Sequence, residues 1–129
     1  MNSSTFTDWA PRHRDLFGRH MVNLGHRFHE SELFSDAALA RLIEKTPRDS
    51  YHVNTMNTAA HDPRSRREGA INGLNGDKVL EAVNNGAIWI LLQNPAAVDP
   101  RYGKLLSAIY DDIDCLTGQQ TYRQKMTIL

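Results

Sequence analysis

The sequence predicts an α+β fold in which short strands alternate with three helices. Three observations carry this. Apolar residues recur at helical spacing in three separate stretches, each opened by a capping residue. The runs between those stretches are brief and rich in β-branched and aromatic residues. No internal repeat or low-complexity segment interrupts the pattern. A chain of 129 residues fits one domain with a modest core. Residues 1–14 read as a loose polar leader, and residues 15–129 as a single α+β segment.

Taken in order, "DLFGRHMVNLGHRF" mixes apolar and polar residues. Met21, Val22, Leu24 and Phe28 suit an irregular strand, with Gly18 and Gly25 as kinks. The first helix signal is "FSDAALARLIEKTP". Ser35 caps its first turn, Asp36 suits the positive end, and Phe34 with Leu39 occupy the positions of a hydrophobic staple. Leu39, Leu42 and Ile43 share a face, and Pro47 stops the helix. "SYHVNTM" then reads as a strand. A polar connection, "NTAAHDPRSRREGAING", spans residues 57–73, a length associated with functional or mobile loops.

The second helix fits "LNGDKVLEAVNNG", with Asn75 as cap, Leu74 and Val79 as a second staple, and Gly86 as a stop. "AIWILLQ" follows, and its continuous apolar character predicts a strand covered on both faces. In "NPAAVDPRYGKLLSAIYDDIDCLTG", Asp99 before Pro100 marks a third helix start. Tyr102, Leu105, Leu106, Ile109, Ile113 and Leu116 give it a wide apolar face, and Gly118 ends it. The closing stretch Met126–Leu129 reads as a strand at a sheet edge.

Composition narrows the function classes. The apolar fraction is 40% and the charged fraction 23%, ordinary for a globular chain. Fifteen basic residues balance fifteen acidic ones, which argues against a nucleic-acid or membrane-surface binder. The longest apolar run, Ala87 to Leu92, is far too short to span a bilayer. No signal-peptide core precedes Pro11, so a cytoplasmic location is the default expectation. Cys115 is the single cysteine, which leaves no internal disulfide; it has no local base and reads as packing.

Several clusters invite chemical readings. His26, His29 and Glu30, in "HRFHE", are candidate metal ligands. On a strand, however, positions i and i+3 face opposite ways, and Gly25 disfavours a helix start, so surface side chains are the simpler reading. "HRD" at His13 to Asp15 matches a His-x-Asp pair of an iron triad, but about 0.7 such triplets arise by chance in this composition. As a kinase catalytic loop it fails, because His20 stands where asparagine is needed. Arg64, Arg66 and Arg67, with His61, Asp62 and Glu68 nearby, would grip a carboxylate or phosphate; the alternative is a solvated loop whose charges partly cancel. Asp111, Asp112 and Asp114 fall opposite the apolar stripe of their helix and read as a solvated face.

The order "HESELFSDAALARLIEKTP", "YHVNTM" and "NGLNGDKVLEAVNNGAIWILLQNPAAVDPRYGKLLSAIYDDI" resembles the N-terminal part of bacterial cupin-like, JmjC-type proteins. Those in turn resemble Fe(II)- and 2-oxoglutarate-dependent oxygenases. The likeness runs from about Phe28 to Leu129 and is densest from Leu74 to Ile113. In that family the iron-binding His-x-Asp/Glu and distant His belong to a double-stranded β-helix barrel that follows this region. No residue here matches those positions, so neither a metal ligand nor a 2-oxoglutarate contact is carried over. The resemblance therefore implies a non-catalytic front segment, ending before the barrel. Fe(II) and 2-oxoglutarate are implied for a full-length relative. The expected partner is that missing barrel or a second copy of the chain. An alternative is a self-contained binding domain that uses the Arg64–Arg67 loop on an anionic partner.

Overall fold

The computed structural model describes residues 5–55, 68–71 and 73–129. The chain is mixed α+β. Its α-helices are α1 (Pro11–Leu16), α2 (Asp36–Lys45), α3 (Gly76–Asn84), α4 (Pro95–Val98) and α5 (Pro100–Thr117). Its strands are β1 (Tyr51–Thr55), β2 (Glu68–Gly69), β3 (Ile88–Gln93) and β4 (Thr127–Ile128). They form one antiparallel sheet in the order β2-β1-β3-β4.

The three expected helices start where their capping residues stand. Ser35 Oγ accepts from the Ala38 N–H at 3.2 Å, Asn75 Oδ1 from Lys78 N–H at 2.9 Å, and Asp99 Oδ1 from Arg101 N–H at 3.0 Å. Each bond satisfies one of the amides a helix start leaves without an internal partner. Gly118 ends α5 in the left-handed region at φ 69°, its N–H donating to the Asp114 carbonyl at 2.9 Å. Of the two residues at the second staple positions, Val79 is buried and Leu74 is 57% exposed.

Residues opposite one another across antiparallel strands share a face. Tyr51 pairs with Leu92 and Val53 with Ile90, and these four join Leu42 and Ile43 of α2, Val79 of α3 and Tyr102 of α5 in the core. On the other face His52 pairs with Leu91 and Asn54 with Trp89. Trp89 and Leu91 are half-buried there, so β3 is not covered equally on both faces as its apolar run predicts. The strand alternates instead, with Ile90 and Leu92 as its buried positions.

Helices α2 and α3 meet at small residues. Ala40 is buried, and Gly76 sits against its backbone, with the Gly76 N–H donating to Glu44 Oε1 at 2.7 Å. Arg48 fastens the β1–β2 pair. It donates to the carbonyls of Tyr51 and Gly69 at 3.1 and 3.2 Å and lies over the Tyr51 ring at 4.9 Å.

Two stretches differ from the sequence expectation. Pro11–Leu16 is a helix, not a loose leader: His13 is 5% exposed and its Nδ1 accepts the Ala10 N–H at 2.9 Å. A buried histidine at the third helical position reaches back to the backbone N–H of the N-cap residue, as the glutamate or glutamine of a capping box does. The stretch 21–28 is not a strand beyond a lone bridge between Phe6 and His26. Met21 is 92% exposed. Gly25 approaches Thr7 too closely to accept any side chain without a shift.

The chain's last segment closes back on the molecule. Helix α5 rises for about 27 Å, and the tail that follows it, with a left-handed bend at Arg123 (φ 55°), returns to the sheet. The Thr121 N–H donates to Asp114 Oδ1 at 2.9 Å, and at the far end Ile128 pairs with Leu92 and Thr127 with Gln93. The terminal strand therefore has β3 as a partner and stands at the sheet edge, as the sequence predicts.

Candidate functional site

A polar hollow lies where β3, β4 and α5 converge, with a volume of about 510 Å³. That volume is in the range of small-molecule sites. Leu106 of α5 and Met126 of the tail supply its apolar walls. Gln93 and Asn94 at the end of β3, and Gln124, Lys125 and Thr127 of the tail, supply its polar groups. Gln124 Nε2 donates to Thr121 Oγ1 at 3.0 Å, which fixes that side chain on its own segment. Asn94 is left-handed, at φ 48° and ψ 57°, and its N–H donates to the Met126 carbonyl at 3.2 Å. It thereby extends the β3–β4 ladder by one bond while turning the chain into α4.

A second hollow of about 380 Å³ lies between α1 and the end of α5, lined by Trp9, Pro11, Arg14, Cys115 and Leu116. Cys115 is exposed here, not packed inside as the sequence suggests. On the helical wheel it stands well off the stripe that includes Leu116, which is buried beneath it.

At the start of α5, Asp99 and Arg101 form a bidentate pair, with the closest approach at 2.8 Å. The hydrogen bonds from the Arg101 side chain, then that from its backbone N–H, lower the Asp99 carboxyl from the ordinary 3.8 to about 2. A depressed carboxyl stabilises the fold above its unfolded value, and that contribution is lost as the pH falls through about 2. The unfolding midpoint of Asp99→Asn, which keeps a capping side chain, is expected to lie below the parent's at pH 5. The gap is expected to narrow as pH is lowered from 4 towards 2, read by urea titration at each pH.

The sequence-predicted candidates fare differently. Phe28–Glu30 is a 3₁₀ turn, neither strand nor α-helix, and it brings the His26 and His29 rings to 6.3 Å. His26 is committed elsewhere: its Nδ1 accepts the Phe28 N–H at 3.1 Å and its ring stacks on Phe28 at 4.6 Å. His29 Nε2 lies 4.0 Å from Glu30 Oε1 on the open surface. Among the described residues no group of three or more His, Cys, Asp or Glu side chains is gathered to hold a metal ion. Arg64, Arg66 and Arg67 lie outside the described residues.

The acidic trio of α5 is not a uniform solvated face. Asp111 is exposed, but Asp112 and Asp114 are half-buried and accept the backbone N–H groups of Thr5 and Thr121, each at 2.9 Å. They fasten the first described residue and the start of the tail to α5. Sequence pattern misses this because the partners are 107 and 7 residues away. The hollow at the sheet end was equally hidden; only Asn94 before Pro95, a turn signal after an apolar strand, points towards it. Among the described residues no helix is long and apolar enough to cross a membrane. Comparisons with protein-family models, with curated proteins and with solved structures returned no match to this chain.

Proposed function

We propose that this chain is a non-catalytic segment of a cupin-like, oxygenase-type protein of the cytoplasm. It packs its sheet against the β-barrel of that class, or joins two copies through the same surface. The supporting observation is the half-exposed sheet. Trp89 and Leu91 sit mid-strand on the face turned away from α2 and α3, and neither is fully buried. Among the described residues β4 pairs only with β3, so its outer row of N–H and C=O groups is open to another strand. Leu129, at 83% exposure, adds apolar area beside that edge. A partly covered sheet face beside an edge strand is a surface on which another sheet docks.

A dye that brightens on apolar surface tests the reading. The native chain is expected to bind it, and Leu91→Lys to reduce the signal about twofold or more without moving the unfolding midpoint. A native chain that leaves the dye dark contradicts the reading.

A further inference from the structure

We propose that the hollow at the end of the sheet binds a small monocarboxylate with a short apolar body. Three separated stretches build it, and they bring one cation, several amides and two apolar side chains to one place. The side chains of Gln93, Asn94, Lys125 and Thr127 line the hollow and form no hydrogen bond or ion pair with other described residues, which leaves their bonding capacity to a ligand or solvent. Lys125 is the one charged side chain of the lining. A ligand that enters therefore gains from a single negative charge. A lone ammonium without an arginine fork suits a carboxylate better than a phosphate dianion, which needs more donors. Leu106 and Met126 favour an alkyl or aryl body on that carboxylate.

Asn94 sharpens the assignment. Its φ of 48° is a conformation that glycine takes without penalty. The position holds asparagine, which tolerates the conformation and also carries an amide into the lining. Lys125 supplies the charge for the carboxylate, and the Asn94 amide donates a second hydrogen bond to it.

Sodium hexanoate is the probe, with 1-hexanol and hexylamine as its neutral and cationic counterparts, followed by amide chemical-shift titration of the native chain. Hexanoate is expected to move the amides of residues 93, 94 and 124–127 and to bind about tenfold tighter than hexanol. Hexylamine is expected to bind more weakly than either. Lys125→Met is expected to reduce hexanoate binding to the hexanol level. Asn94→Gly is expected to keep the unfolding midpoint and weaken hexanoate about threefold or more. Equal shifts with hexanoate and hexanol, shifts centred elsewhere, no shifts, or parent-like binding by both variants would each overturn the proposal. The hollow lies within one chain, so the titration reads it whether or not the sheet docks on a partner.

Discussion

Gly76→Ala is expected to lower the free energy of unfolding by about 3 kcal/mol, read as a drop in the urea midpoint at unchanged slope. Alanine is the better helix former by about 1 kcal/mol, so a glycine that were merely helical would give a change of opposite sign. The difference comes from packing. A Cβ on Gly76 would fall on the Ala40 carbonyl and lie 2.8 Å from the Ala40 Cα. Both obstacles are backbone, which no rotamer change can move aside. Helices α2 and α3 would have to part, and Leu42, Ile43 and Val79 would lose their close fit with them. The Gly76 N–H would also draw away from Glu44 Oε1, its acceptor at 2.7 Å. A stabilised Gly76→Ala would show that the two helices are not in contact at this point.

Tyr102→Ala is expected to destabilise by about 4 kcal/mol, and Tyr102→Phe by about 1 kcal/mol, measured in the same titration. Tyr102 is 1% exposed and is the residue through which α5 enters the core. Its ring meets Phe34 edge-on at 6.1 Å, and its hydroxyl donates to the Leu33 carbonyl at 2.5 Å. Burial raises the pKa of that hydroxyl, in keeping with a neutral donor. Alanine leaves a cavity, and it also removes the tie between α5 and the segment that precedes α2. Phenylalanine keeps the packing and leaves only the Leu33 carbonyl without its donor. Equal effects of the two variants would show that the hydroxyl, and not the ring, anchors α5.

Local signals were legible and non-local ones were not. Ser35, Asn75 and Asp99 mark their helix starts because a cap acts within three residues, and Gly118 marks a helix end for the same reason. Strands β1 and β3 were readable from their composition, but the half-burial of Trp89 was not. A continuous apolar run does not say which face the helices will cover. Helix α1 escaped because its buried residue is a histidine, held by a turn and by α5, and not by an apolar stripe. His26 and His29 came together through a 3₁₀ turn that neither of the two regular periods describes. The hollow at the sheet end depends on β3, α5 and the tail meeting in space, and no window of the sequence contains all three.

The central claim is that the sheet is an unfinished surface on which further structure docks. Sedimentation velocity of the native chain, from micromolar to near-millimolar concentration, tests it most directly. The account predicts reversible self-association that weakens at least about tenfold when Trp89 and Leu91 are both replaced by serine. A parent chain that sediments as a monomer over the whole range, indistinguishable from the double variant, would contradict it.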